Sequence, residues 1–178
     1  MKKFAFAFLL LAAGCSSVQT TYDFDGTVDF SKYKTYEFTD DAKNFPIQEL
    51  DRQRVLNAIE SELAAKGFSK SSNPDVLIDL QVKLEQKQTA TATNTGGYYG
   101  GPYRYGWGAG YGGTTRIDVQ NYVEGTLFIN MIDKASEKLV WQGRGTKTLE
   151  DHPSPEKKEQ NVKYGVKQIF TKYPPKKK

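Results

Sequence analysis

Residues 78–85, with the sequence IDLQVKLE, alternate aliphatic and polar side chains without interruption. Successive side chains of a β-strand point to opposite faces of the sheet, so this alternation predicts a strand with one buried face and one solvated face. Sheets with one wet face are typical of antiparallel strands packed on a core through the other face. The stretch therefore predicts a sheet, and the neighbouring segments are interpreted by how they extend it.

A second alternating stretch, residues 116–133, predicts a partner strand of unusual length. If the two strands form a hairpin, their aliphatic side chains share one face, and a slip of one residue would expose the whole set. We predict the register that sets Lys83 opposite Glu124, because a shift of two residues sets Glu85 against Glu124. The aliphatic face of the second strand comprises Ile117, Val119, Val123, Leu127, Ile129 and Met131.

A third strand is predicted at residues 138–149, which follow a short turn. Leu139 and Trp141 match the inward face of the sheet, and Gly143 and Gly145 continue it. Glycines on the inner face need no chemical function, since small residues there let a helix approach closely.

Two segments space their apolar residues by three and four positions, which predicts helices. Asp51 is expected to cap the first helix, and Gly67 to end it. Ser154 and Pro155 are expected to start the second helix, and Pro174 to stop it. The predicted buried stripes are Val55, Leu56, Ile59 and Leu63 in the first helix, and Val162, Val166, Ile169, Phe170 and Tyr173 in the second.

The elements assemble into a two-layer α+β sandwich with the order β-β-α-β-β-β-α. Two short strands at residues 22–24 and 35–38 precede the first helix, and residues 40–46 are predicted to be a loop. An antiparallel sheet of about five strands would carry both helices on one face. We expect a single domain over residues 21–175.

The amino terminus is expected to be a cleaved lipoprotein signal peptide over residues 1–14. Lys2 and Lys3 precede a short apolar run that ends in small residues before Cys15, the single cysteine of the chain. The run is about half the ~20 residues that span a bilayer. Cys15 would be acylated and become the first residue; an ordinary signal peptide with an incidental cysteine is the alternative.

Residues 15–20 are expected to be a lipidated tether, and residues 176–178 a solvated basic tail or a weak hold on anionic lipid. Ser16 follows the cysteine where an aspartate would retain many lipoproteins in the inner membrane. The expected location is therefore the periplasmic face of the outer membrane of a bacterial envelope. Without the signal and tail lysines the body is close to neutral, so its basic pI does not predict nucleic-acid binding.

Residues 96–113 contain nine glycines, five tyrosines and one tryptophan, which predicts a flexible insert in the central hairpin. Aromatic rings on a glycine backbone are typical of adaptable binding loops. The alternative is a disordered insert that touches nothing specific. The candidate partner-binding residues are Tyr98, Tyr99, Tyr103, Arg104, Tyr105, Trp107 and Tyr111.

The two hairpin strands would each run to nearly ~60 Å, whereas a predicted helix covers at most ~30 Å. The aliphatic face also weakens towards Gln86 and Gln88. Residues 86–123 are therefore predicted to project beyond the helix layer as a two-stranded arm with the insert at its tip.

No residue pattern predicts catalysis, a metal or a cofactor. His152 is the single histidine and lacks a serine or cysteine nucleophile nearby in sequence. Asp23, Asp25 and Asp29 resemble calcium ligands but lack the central glycine and later glutamate of an EF-hand loop. We therefore expect a non-enzymatic protein, with a hydrolase as the alternative.

Five short motifs in order resemble the domain-of-unknown-function family 4136 of bacterial envelope lipoproteins. The resemblance implies an envelope address and a glycine- and aromatic-rich central insert, and it brings no established activity and no catalytic residue. The motifs are Asp29-Phe30-Ser31-Lys32-Tyr33-Lys34-Thr35-Tyr36, Leu63-Ala64-Ala65-Lys66-Gly67-Phe68, Pro74-Asp75-Val76-Leu77, Glu124-Gly125-Thr126-Leu127 and Leu139-Val140-Trp141-Gln142-Gly143.

The sequence thus predicts a lipid-anchored envelope module that binds a protein, glycan or membrane partner. An accessory lipoprotein of a transport system, carrying an apolar ligand between helices and sheet, is a second hypothesis. It requires a cavity, whereas the sequence contains enough large residues to fill the core.

Overall fold

The computed structural model describes residues 18–95 and 114–175. A 3-10 turn at Phe30–Lys32 joins the first two strands. The helices and strands are β1 Gln19–Phe24, β2 Thr35–Phe38, α1 Asp40–Lys43, α2 Glu49–Ala65, β3 Ser69–Lys70, β4 Val76–Thr95, β5 Thr114–Asp133, β6 Lys138–Thr148 and α3 Pro155–Phe170. In this part of the chain, no helix is long and apolar enough to span a bilayer.

The strands form one sheet in the order β1-β6-β5-β4-β2-β3. The two-layer α+β architecture and the order of its long elements are confirmed, but the sheet is mixed and has six strands, not five antiparallel ones. β2 runs parallel to β4 because the chain returns through α2, and such a crossover brings it back in the same direction. β1 begins at Gln19, so Gln19 and Thr20 lie in the sheet rather than in the predicted tether.

The core lies between one face of the sheet and the helices, around Trp141 of β6. Its ring is fully buried, stacks on Phe170 at 5.8 Å and meets the edge of Tyr173 at 5.4 Å. A Cβ added to Gly143 would lie 2.4 Å from Ile169 Cγ2 in α3. The prediction that these glycines admit a helix is therefore confirmed.

One predicted helix boundary, the start of α2, is wrong. α2 begins at Glu49, and Asp51 sits inside its first turn, where it pairs with Arg54 at 2.6 Å and Lys158 at 3.4 Å. The cap at Gln48 has no side-chain hydrogen bond. The helix starts early because tertiary contacts, including this α2–α3 ion pair, stabilise its first turn.

The predicted loop at residues 40–46 contains α1. The amide of Ala42 donates to Thr39 Oγ1 at 3.0 Å, and Asp40 and Asp41 occupy the first turn, where a carboxylate is favoured. Burial of Ala42 and Phe45 then attaches this turn to the core. The end of α2 at Gly67, with a φ of 83°, and the start of α3 at Ser154 and Pro155 are as predicted.

A bulge in β6 reverses the predicted orientation of Leu139. Met131 pairs with Trp141, but the next residue, Ile132, pairs with Leu139, so Val140 is an extra residue. Val140 is buried beside Trp141, whereas Leu139 is 50% exposed. Local alternation cannot reveal such a bulge, because one inserted residue shifts every preceding side chain to the other face.

The hairpin register differs by two residues from the prediction, so the shared aliphatic face is kept. Glu85 lies opposite Glu124, the pairing that was not expected because the two like charges repel each other. Lys83 binds Glu85 at 2.6 Å, and Lys87 binds Glu124 at 2.8 Å. Each carboxylate therefore has its own lysine, and the like charges do not decide the register.

Candidate functional site

The residues predicted to carry function from sequence lie outside the described residues. They are Cys15, Tyr98, Tyr99, Tyr103, Arg104, Tyr105, Trp107 and Tyr111. Their roles stay predictions, as does the flexibility of the insert at residues 96–113. The structure does describe the strands that lead to and from this insert, and these strands form the first candidate site.

The predicted arm is confirmed. β6 leaves the sheet where Thr148 pairs with Glu124, and the next amide, that of Leu149, donates to the Val123 carbonyl at 2.8 Å. Among the described residues beyond Val123, β4 and β5 pair only with each other as far as Thr95 and Thr114. The ten residue pairs of this arm, from Gln86 with Val123 onward, span about 33 Å at the usual rise of a strand. The arm thus comprises residues 86–95 and 114–123.

The two faces of the arm differ in chemistry near its tip. On the face continuous with the core, Ala90 lies opposite Val119 and Ala92 opposite Ile117. We call these four side chains the apolar patch; Ile117 is 65% exposed and Val119 is 57% exposed. The opposite face is polar and consists there of Thr89, Thr91, Thr93, Arg116, Asp118 and Gln120.

Both edges of the arm lack a neighbouring strand among the described residues. β2 pairs with β4 only over residues 76–78, and β6 pairs with β5 only from Glu124 onward. Unpaired backbone N–H and C=O groups along an edge can accept another strand. The arm therefore offers two backbone edges and one apolar face.

A second candidate site is a shallow polar hollow on the open face of the sheet, opposite the helices. Its volume is about 250 Å³, and four strands contribute to it. It is lined by Gln19 and Thr21 of β1, Lys83 and Glu85 of β4, Glu124, Thr126 and Phe128 of β5, and Arg144 and Thr146 of β6. A smaller hollow beside it is lined by Thr21, Tyr22, Asp23, Gln142 and Arg144.

Both carboxylates of the larger hollow are paired with lysines of the protein. Lys83 bonds to Glu85 and lowers the pKa of that carboxyl, the opposite of what a general acid requires. The Arg144 Nε donates to Thr21 Oγ1 at 3.1 Å. No histidine, cysteine or serine lines either hollow. This geometry favours a satisfied surface over a hydrolytic site, and the polar lining is unlike an apolar-ligand pocket.

The remaining candidate residues for catalysis or metal binding lie in an exposed loop or bond to neighbouring residues of the chain. His152 is exposed in the loop before α3, with a φ of 52°. Asp25 accepts from the amide and hydroxyl of Thr27, and Asp29 caps the 3-10 turn through Ser31. Within the described residues, no cluster of three or more acidic, histidine or cysteine side chains could hold a metal ion.

A hydrogen-bonded cluster around Asp133, which sequence reasoning missed, lies at the opposite end of the hairpin from the arm. Asp133 is buried and accepts hydrogen bonds from Tyr33 Oη at 2.7 Å, Lys32 Nζ at 3.0 Å and the Ser136 amide at 2.8 Å. These donors hold the pKa of Asp133 well below its usual range, while burial raises the pKa of Tyr33 above its own. The cluster ties the 3-10 turn to the end of β5, and its sequence separation of about a hundred residues hides it from local patterns.

Asp75 plays a similar role for β2. Its carboxylate accepts from the amides of Lys34 and Thr35 at 2.9 and 2.8 Å, which lowers its pKa. Several residues that carry the family resemblance therefore hold the fold together.

Comparison with solved structures gives similarity of fold. A PDZ domain protein from Parabacteroides distasonis matches with a TM-score of 0.53 and 20% identity, covering 90% of this chain and 36% of that one. This chain thus spans about a third of the length of that protein. A PelC dodecamer structure from Paraburkholderia phytofirmans matches at 10% identity and a TM-score of 0.44, covering 87% of this chain and 96% of that chain.

Among curated proteins, no sequence matches this chain. The sequence profile described as "Domain of unknown function (DUF4136)" matches residues 18–175, which include every helix and strand described above. The match agrees with the resemblance carried by the five short motifs. The chain belongs to the DUF4136 family.

Proposed function

We propose that this protein is a lipid-anchored, non-enzymatic module of the bacterial cell envelope that binds a partner through its arm. The observation that carries the proposal is the arm itself. Over residues 86–95 and 114–123, two strands leave the core with no neighbouring strand among the described residues at either edge, and the side chains described there are largely exposed. Surface of this kind adds little to a core, and its edges and apolar patch are available for binding.

The anchor is proposed from the sequence of residues 1–15, with acylation at Cys15 and a location on the periplasmic face of the outer membrane. The described fold fits a short connection to lipid, because β1 begins only four residues after Cys15. A non-enzymatic role is supported by the paired charges and the lining of the two hollows.

Membrane fractionation of Cys15→Ser tests the anchor. The variant should be uncleaved or soluble, because serine cannot form the thioether to lipid. Recovery of this variant in the outer membrane as completely as the parent would refute the anchor.

Photo-crosslinking in living cells tests binding through the arm. A photoreactive amino acid at Trp107, in the insert that joins the two strands of the arm in sequence, should capture a defined product. The matched control carries the same group at Asn57, an exposed position on α2. Equal crosslinking from both positions, or none from Trp107, would contradict binding through the arm.

A further inference from the structure

We infer that the partner of the arm is the lipid bilayer, which the apolar patch of Ala90, Ala92, Ile117 and Val119 contacts. The inference rests on the proposed function, because it assumes that acylated Cys15 anchors the domain. It adds a second membrane contact, made by side chains of the protein. It also identifies the partner of the arm as the bilayer rather than a protein or a glycan. Three geometric facts lead to it.

The first fact is the direction in which the arm leaves the core. Gln19, at the start of β1, pairs with Thr146, which pairs with Thr126, which pairs with Lys83. The chain before Gln19 therefore leaves the sheet at the same end as β4 after Lys83. The path to the lipid anchor and the arm begin at one end of the domain.

The second fact is the reach of the arm. Three residues separate Cys15 from Gln19, so these two residues are at most ~14 Å apart when the chain between them is fully extended. β4 continues for twelve residues from Lys83 to Thr95, or about 40 Å at the rise of a strand. Three steps between neighbouring strands separate β1 from β4, and their twist turns β4 away from the direction of the tether by roughly 60 to 75°, so that it still advances about 10 to 20 Å along that direction. The arm thus reaches about as far as the tether does, and its end can meet the surface in which the tether is anchored.

The third fact is the distribution of apolar side chains, which selects one orientation about the short tether. The tip of the arm exposes two alanines, a valine and an isoleucine on one face and only polar side chains on the other. For a two-stranded ribbon with one apolar face, the most apolar surface is removed from water when that face meets the acyl-chain boundary of a bilayer. Because α2 and α3 lie on the same side as the patch, the arm would meet the bilayer at a slant, with its tip first.

The experiment uses the full-length acylated protein, purified from bacterial membranes and placed in vesicles of phosphatidylethanolamine and phosphatidylglycerol. Acylation consumes Cys15, the single native cysteine, so an introduced cysteine carries an environment-sensitive fluorophore without competition. Ile117→Cys reports the apolar patch, and Asp118→Cys reports the opposite face one residue later. Quenching by lipids with a spin label on the acyl chain measures contact with the bilayer interior.

We expect at least about twofold stronger quenching at position 117 than at position 118, because alternate strand residues lie on opposite faces. Adding Val119→Glu should remove most of this difference, since a carboxylate resists transfer from water into the acyl region. The matched variant Gln120→Glu adds the same charge on the polar face and should leave the difference in place.

The outcomes separate the inference from the proposed function. Weak or equal quenching at both positions, in protein shown by mass spectrometry to be acylated and shown by flotation to be bound to vesicles, overturns the arm contact and leaves the anchor standing. An unmodified Cys15 in protein recovered from cells overturns the anchor and the arm contact together. Face-dependent quenching that Val119→Glu removes and Gln120→Glu retains supports both.

Discussion

The two halves of the central hairpin share the same strands and the same alternation, but one half is buried and the other is exposed. In the half at residues 76–85 of β4, Ile78 is fully buried, and Met131 opposite it on β5 is fully buried as well. In the arm, Ile117 of the same strand and the same face is 65% exposed. β6 and the helices cover the first half and stop before the second. Alternation therefore identifies a face, and only the neighbouring layer decides whether that face becomes core.

The largest expected effect tests the buried half. Trp141→Ala should lower the free energy of unfolding by about 3 to 5 kcal/mol, because it removes a fully buried ring stacked on Phe170 and leaves a cavity. Ile117→Ala, the arm counterpart, should change it by less than about 0.5 kcal/mol, as at other exposed positions. Urea unfolding of the soluble domain measures both. Similar losses for the two variants would mean that the arm is packed like the core.

A smaller effect tests how closely the helix layer approaches the sheet. Gly143→Ala should cost about 1 to 3 kcal/mol by overpacking, because the new methyl would lie 2.4 Å from both Ile169 Cγ2 and Trp141 Cη2. Gly165→Ala is the matched change within α3, where a Cβ meets nothing within 4 Å. That variant should stabilise the protein by about 0.5 to 1 kcal/mol, since alanine favours a helix over glycine.

Thermal unfolding ranks these two glycine variants. A neutral Gly143→Ala would show that α3 can move off β6 at little cost. The covered half of the hairpin would then be less tightly packed than its distances indicate.

The pH dependence of stability tests the end of the hairpin furthest from the arm. The donors around Asp133 lower its pKa in the folded state, so its stabilisation is present above the unfolded pKa of about 3.9. It is lost as the pH falls from that value through the folded pKa. Asp133→Asn should lower the free energy of unfolding by about 1 to 3 kcal/mol at neutral pH, because it disturbs a buried carboxylate that accepts several hydrogen bonds.

Urea unfolding between neutral pH and pH 3 measures this dependence. Below the unfolded pKa, the difference in free energy of unfolding between the parent and Asp133→Asn should become smaller. Asp118→Asn is the control variant, which removes an exposed carboxylate of the arm. A difference that grows on acidification would show that the carboxylate is not ionised in the folded protein.

Local pattern was sufficient to predict the faces and the long elements. The alternation of residues 78–85, the inward Trp141 and the glycines that follow it were predicted because each depends only on spacing within one strand. The arm was also predictable, because strand length and helix length can be compared without knowing any contact. These are properties of single elements, which the sequence states directly.

The errors in the sheet all involve contacts between elements. The outward Leu139 results from a bulge at Val140. The like charges of Glu85 and Glu124 did not fix the register, because Lys83 on the same strand neutralises Glu85 and the diagonal Lys87 neutralises Glu124. The polar hollow draws on four strands, and the position of β1 across the sheet from β2 follows from the whole topology. No local period encodes which strands become neighbours.

The smallest expected effect comes from removing the arm, and it separates the two halves of the hairpin most directly. Lys87 and Tyr122 are paired, so an Asn-Gly turn can join them in place of residues 88–121. Since β6 and the helices contact the hairpin only before this point, the free energy of unfolding should change by less than about 1 kcal/mol, as loop closure depends weakly on length. Amide hydrogen exchange in the full chain gives a second measurement. The amides near Ile78 and Ile129 should exchange last. The amides of residues 114–121 should exchange much earlier, because no third strand protects them. A truncated protein that unfolds, or arm amides as protected as those of Ile129, would show that the arm is part of one cooperative core and not a separate binding element.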